Sequence, residues 1–379
     1  MNRQNFNRRA LLRQAGALAA ACIATQWSAA ASAAGRVTRR GRFVAYPFPL
    51  GVASGDPVSD GFVIWTRIAP APFDTLAFTD ESVEVGWEIA RDPSFRSIAA
   101  QGVEIARRAL GHSVRAEARG LDPGRPYWYR FSLRGSDFSP IGRAWTAPPL
   151  NAVPAIFKIA HASCQHYEQG FFNAYDAMLA DAPDLVLHLG DYIYESSWGK
   201  QVRRHDGPEP FTLEEYRARH ALYKLDESLQ AAHAMCPWLF TWDDHEVDND
   251  YANSEAEDHA PRDQFLARRA AAYQAYFENM PLRWTAVPRA AEMRLYQRSQ
   301  FGALIELAIM DSRQYRSDHA CGTLERGGGQ VVPNSCPELS DPARTMLGQD
   351  QERWLTGGFR RTGATWNVIG SAQTFSRLK

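Results

Sequence analysis

Acidic residues are missing from the first 55 positions of this 379-residue chain, while residues 1–42 hold eight arginines. Lysine is nearly absent everywhere, with four in all, at positions 158, 200, 224 and 379. A preference for arginine spread over the whole length reads as genome composition, so arginine abundance alone does not point to phosphate binding. A strong charge of either sign is also lacking. The formal net charge is −1, which excludes a nucleic-acid binder held by bulk charge. No apolar run approaches the ~20 residues that span a bilayer, so no transmembrane segment is expected. There is no internal repeat. With 45% hydrophobic and 22% charged residues the chain can bury a core, and its length suggests two domains.

The N-terminus reads as an address. Arg8-Arg9 precedes an alanine-rich apolar stretch, and Ala31-Ser32-Ala33 follows. A charged start, a short apolar run and an A-x-A site make a signal peptide over residues 1–33. The arginine pair resembles a twin-arginine signal, which makes the twin-arginine translocase a partner and the destination periplasmic or secreted. Four arginines leave with 1–33, so 38 basic residues remain against 43 acidic ones, a net charge of −5. Of the cysteines left, Cys321 and Cys336 bracket a glycine-rich loop, and in an oxidising compartment the default is a disulfide between them. Cys236 lies in an apolar run and reads as a buried thiol.

Residues 46–148 carry the rhythm of an all-β sandwich. Short β-branched and aromatic runs at 61–68, 83–89 and 127–131 are separated by Asp, Pro and Gly. Leu121, Pro123 and Tyr127 resemble the corner of a fibronectin type III domain. From 155 onward the pattern is α/β. A strand over 157–163, a helix over 171–182 and a strand over 184–189 form a βαβ unit. Further apolar runs at 237–242, 303–310 and 365–369 alternate with helical stretches at 213–225 and 263–279.

Function in an open α/β sheet gathers at the carboxyl ends of the strands. Three strands here end in polar, metal-capable residues: Cys164-Gln165-His166, Asp191-Tyr192-Ile193-Tyr194-Glu195, and a run of five acids among residues 243–250 around His245. Each segment alone is weak, since acidic runs are usually solvated loops, Cys164 alone would be a small buried hydrophobe, and Tyr194 a packed aromatic. Their shared position is what points to a metal site. Carboxylates suit hard cations, thiolate and imidazole suit transition metals, and a mixture argues for two unlike metals.

The blocks Gly190-Asp191-x-x-Tyr194 and Asp244-His245-Glu246 resemble those of metallophosphoesterases. With Ser163-Cys164-Gln165, Trp242 to Glu246, residues 48–57, 279–283 and 311–316, the chain is similar to PhoD-type alkaline phosphatases and phosphodiesterases. The resemblance implies a β-sandwich followed by a metallophosphoesterase domain over 155–379. It implies Fe³⁺ bound by Cys164 and Tyr194, Asp191 bridging metals, Ca²⁺ at Asp244, and His245 as general acid or phosphate holder. The implied reaction is hydrolysis of phosphate mono- or diesters, phospholipids among them, by a metal-activated hydroxide. Whether Asp243 or Asp244 is the ligand is left open by the motif. A late Gly-Asp-x-His segment of the family is not found, so the second domain is expected to lack its C-terminal part, and this chain is expected not to be a competent phosphatase by itself. The alternatives are an inert fragment of such an enzyme and a non-catalytic exported binding protein.

Overall fold

A computed structural model describes residues 45–375, apart from 75–77, 79–80, 134, 323–331 and 333–334. The expected signal over 1–33 lies outside these residues. Among them the strands are β1 Val52–Val58, β2 Gly61–Arg67, β3 Ser82–Ala90, β4 Ile98–Arg107, β5 Ser113–Ala118, β6 Pro126–Leu133, β7 Asp137–Phe138 and β8 Gly142–Trp145, then β9 Ile159–Ala162, β10 Leu185–Leu189, β11 Pro237–Thr241, β12 Gln297–Phe301, β13 Ile305–Ile309 and β14 Trp366–Gly370. The helices are α1 Ala174–Asp181, α2 Leu213–Lys224, α3 Glu227–Met235, α4 Arg262–Asn279 and α5 Gln349–Phe359. The first α/β elements are shorter than their patterns suggest: β9 begins after the Lys158 amide has bonded to the Asp184 carboxylate, and α1 begins after a turn at Phe172.

An all-β half precedes an α/β half. In the first, β5-β2-β1 faces a sheet of order β4-β3-β6-β7, with β8 also paired to β6. Alternation is clean in β6, where Tyr127, Tyr129, Phe131 and Leu133 point inward. The corner at Leu121 is made as its residues suggest: the Asp122 amide donates to the Tyr127 hydroxyl at 2.9 Å and Leu121 is buried.

The halves share a sheet. β1 lies parallel to β11, with Gly55 opposite Trp238, giving one six-stranded sheet of order β5-β2-β1-β11-β10-β9. Register then sets which face each side chain takes. Ala53, Trp65, Val186, Trp238 and Phe240 face the helices. Val52, Phe62 and Ile64 face the β4-β3-β6-β7 sheet with β8, while Leu185, Leu187 and Leu239 face the small sheet β12-β13-β14. Each fully buried Leu or Phe among them contributes about 1.5–3 kcal/mol relative to exposure.

Polar contacts lock the seam. A Cβ at Gly55 would stand 2.5 Å from the Pro281 carbonyl, so the strand can approach only as glycine. The Asp56 carboxylate accepts from the Arg283 amide at 3.0 Å and from Gln297 at 2.9 Å, and Arg283 also reaches Glu117 at 3.0 Å. The Trp65 indole donates to the Glu278 carbonyl at 2.8 Å. Helix α2 starts at a capping box of Thr212 and Glu215, and is tied to α4 by a buried fork in which Arg217 Nε and Nη2 each reach Glu278 at 2.7 Å. Removing one partner of such a pair strands the other charge. Glu278→Ala should therefore cost about 3–5 kcal/mol in urea unfolding. A loss below about 1 kcal/mol would show that the fork does not hold α2 to α4.

Candidate metal centre

Three loops leave the carboxyl ends of β9, β10 and β11 side by side. The first two are zipped together, with the Cys164 amide donating to the Gly190 carbonyl at 3.1 Å and the Gln165 amide to the Asp191 carbonyl at 3.2 Å. Cys164 and Asp191 both take left-handed backbone angles, φ 54° and 56°, which non-glycine residues seldom adopt outside tight functional turns. Gly190 has φ 109°, and a Cβ there would sit 2.5 Å from the Asp243 amide nitrogen, so the second loop presses directly on the third. Glu246 clasps the two, accepting from the Tyr192 amide at 2.5 Å and the Asp243 amide at 2.9 Å.

Ligand-capable atoms of Asp191, Asp244 and His245 come within 4.8 Å of one another. The Tyr194 hydroxyl donates to Asp191 Oδ2 at 3.1 Å, while Asp191 Oδ1 is buried with no hydrogen-bond partner. Cys164 is an exposed residue outside the Asp191–Asp244–His245 group, with its thiol in interaction range of Asp191 and Tyr194. The Tyr194 ring is held between two imidazoles, with His166 at 4.3 Å and His245 at 4.2 Å between ring centroids. His245 Nδ1 pairs with Glu195 Oε2 at 2.7 Å, which leaves Nε2 for the cluster.

The five acids of residues 243–250 have five different fates. Asp243 is pinned by Arg313 Nε at 2.5 Å and by Gln373 at 2.7 Å. Asp248 pairs with Arg268 at 2.9 Å, Asp250 with Arg313 Nη1 at 3.0 Å, and Glu246 is the clasp. Asp244 accepts from the Asp250 amide at 2.6 Å, lies 3.4 Å from Arg313 Nη2, and faces Asp191 and His245. Cys321 and Cys336 are joined, with Cα atoms 6.2 Å apart, and Cys236 is a free, buried thiol.

These anions oppose one another's ionisation. Burial, then the charges of Asp243 and Asp244, push Asp191 up to about 7. Burial and Asp191 push the Cys164 thiol up to about 11 and the Tyr194 phenol far above its usual range. Burial disfavours charge on His245, but the hydrogen bond and charge of Glu195, with Asp244 and Asp191, outweigh it and raise His245 to about 9. A thiol, a phenol and carboxylates forced together, with one carboxylate oxygen left unpaired, fit a highly charged cation.

The profile of the PhoD-like phosphatase family matches residues 159–379, and that of the PhoD-like phosphatase N-terminal domain matches 29–148. The chain belongs to the PhoD-like phosphatase family. It is 43% identical over 379 residues to alkaline phosphatase D of Bacillus subtilis (strain 168), covering 98% of this chain and 63% of that protein. A solved structure described as the structure of PhoD superposes with a TM-score of 0.83 at 45% identity, covering 87% of this chain and 63% of that one. The chain thus spans less than two thirds of the length of these relatives.

Sequence reasoning left Glu195, Glu246 and Arg313 without roles. Glu195 and Glu246 stood inside quoted motifs, but nothing local says that one orients His245 and the other clasps two loops. Arg313 lies 70 residues from the carboxylate it pins.

The crowding has a measurable consequence. Asp191 and His245 both hold protons in the folded protein above their unfolded-state values of ~4 and ~6.5. A raised folded pKa adds stability that is complete below the unfolded value and is lost as pH rises through the folded one. In metal-free protein the stability that His245 contributes relative to His245→Gln should therefore fall between pH 6.5 and 9, by roughly 3 kcal/mol, while buried His188, His205, His220, His233 and Lys224, whose folded values are lowered, act in the opposite sense in both proteins. Urea unfolding of wild type and His245→Gln in chelator at pH 6 and pH 9 checks this, and a wild-type advantage that does not shrink as pH rises contradicts it.

Proposed function

We propose that this chain is an exported, metal-dependent hydrolase of phosphate mono- or diesters. The observation that carries the reading is the meeting of Cys164, Asp191 and Tyr194 at adjoining strand ends, with Asp191 Oδ1 unpaired, in a chain of the PhoD-like phosphatase family. An adhesion module has no use for that donor set. The Bacillus relative is by name an alkaline phosphatase. Cys164, Tyr194 and Asp191 would hold Fe³⁺, and Asp244, sharing Asp191, would hold Ca²⁺. When bound, these ions supply Lewis acidity that neutralises phosphate charge and activates water as the hydroxide nucleophile.

The chain's own residues do the rest. His245, kept protonated by Glu195, presents Nε2–H as a donor to the leaving oxygen. Asp243, held by Arg313, leaves Asp244 as the carboxylate turned to the ions. Phospholipids fall within the diester class this site accepts. Residues 1–33 act as the twin-arginine signal read by the twin-arginine translocase, residues 46–148 form the sandwich domain and 155–379 the phosphoesterase domain, in a periplasmic or secreted protein. An oxidising compartment agrees with the Cys321–Cys336 bond. Among the described residues no helix is long and apolar enough to cross a membrane.

A second reading, metal binding without turnover, rests on the donors present: Cys164, Asp191, Tyr194 and Asp244 would serve one ion and part of a second. One experiment separates the two. Protein loaded with Fe³⁺ and Ca²⁺ should absorb visible light through its phenolate, hydrolyse bis-p-nitrophenyl phosphate, and lose roughly 10²–10⁴ of that rate in His245→Gln. Tyr194→Phe should lose the band. Colourless iron-loaded protein removes Tyr194 from the site, and coloured protein with no hydrolysis selects the second reading.

A further inference from the structure

Arginines set into this interior are matched to acceptors. Arg67 and Arg115 donate to the Gly111 and Phe277 carbonyls, Arg217 to Glu278, Arg219 to the Glu195 carbonyl, and Arg268 to Glu209. Arg316 breaks the pattern. Its guanidinium makes no hydrogen bond or ion pair among the described residues, and its Nε is enclosed without a partner. It lies between Arg313 and His319, which both reach Asp250, at 3.0 and 3.9 Å, so its segment passes beside the candidate metal centre within electrostatic reach of Asp250, Asp243 and Asp244. The nearby arginine cannot serve a ligand in its place, because Arg313 Nε, Nη1 and Nη2 already face Asp243, Asp250 and Asp244.

The backbone around Arg316 is fixed on both sides. The Asp311 carboxylate accepts from the Arg313 amide at 3.0 Å and the Gln314 amide at 2.9 Å. The Arg313 carbonyl accepts from the Asn253 amide at 3.0 Å. Beyond it, the Ser317 amide donates to the Thr345 carbonyl at 2.8 Å, and the Thr345 amide returns to Ser317 Oγ at 3.0 Å. A charged fork that is partly buried, unpaired and held by a braced loop is preorganised for an anion that arrives from solvent. The anion drawn to a cation-loaded cluster of carboxylates, and matched by a planar fork, is a phosphate.

We propose that Arg316 binds the non-esterified oxygens of the substrate's phosphate through its guanidinium. This rests on the phosphoesterase reading above. The assignment makes Arg316 the chain's own phosphate ligand, whereas Arg313 is a counter-ion to the acids.

The test uses inorganic phosphate as the probe on metal-loaded protein, by calorimetry and by inhibition of bis-p-nitrophenyl phosphate hydrolysis. Arg316→Gln should raise the Kd for phosphate and the KM for the diester by roughly 10- to 100-fold, with kcat changed much less. Arg316→Lys, which keeps the charge and loses the fork, should recover part of the affinity. Metal content and thermal midpoint should match wild type in both variants. An unchanged phosphate Kd in Arg316→Gln overturns the assignment while leaving the phosphoesterase reading intact. Loss of metal in Arg316→Gln also overturns it, since the residue would then belong to the metal frame. Wild-type metal-loaded protein that binds no phosphate overturns both.

Discussion

Negative charge crowded onto one end of a sheet is the constraint around which this protein is organised. β9, β10 and β11 each deliver acidic or acid-like groups to the same place, and none of them can ionise freely while the others do. The surroundings meet this with positive charge in three ways. Arg313 enters from the loop after β13 and takes up Asp243, Asp244 and Asp250. His245 is held protonated by Glu195. Burial and mutual repulsion favour the protonated forms of Asp191, Tyr194 and Cys164.

Such crowding persists only on a stiff frame. The frame here is mostly backbone: two left-handed turns, a glycine where a side chain would strike the neighbouring loop, and a glutamate that accepts from the amides of two loops. Behind it stand the aromatic rings around Tyr192, Trp238 and Phe240, packed between the sheet and its helices. Tyr194 is constrained twice over, by its bond to Asp191 and by an imidazole on each side of its ring. The phenol oxygen therefore has little freedom to be anywhere but beside the unpaired Asp191 oxygen.

Local patterns in the chain are faithful where the physics is local. β2 and β6 announce themselves by alternation, the Tyr127 corner by its spacing, and the strand ends by apolar runs that stop at Cys164, Asp191 and Asp243. No motif separates Asp243 from Asp244, and the difference between their surroundings comes from Arg313 in a distant loop, which bonds Asp243 at 2.5 Å and stands 3.4 Å from Asp244. The blocks at 48–57 and 279–283 were recognisable only as resemblance, and their purpose shows in three dimensions: Gly55 and Asp56 meet Pro281 and Arg283 at the seam. The pairing of β1 with β11 left no trace in either strand, since a parallel neighbour imposes no spacing on residues so far away in the chain.

That pairing also dictates when the protein can fold. Gly55 and Trp238 are roughly 180 residues apart, about 10–40 s of synthesis at ordinary ribosomal speeds. Until β11 has emerged, the first half has the β1 edge of its inner sheet open, and the Trp65 face stays bare until α2 is made shortly before it. Contacts of such long range are slow to close and leave sticky surface exposed meanwhile. The nascent chain therefore spends that interval as an open-edged β-sheet, the state in which holding factors and aggregation compete for it.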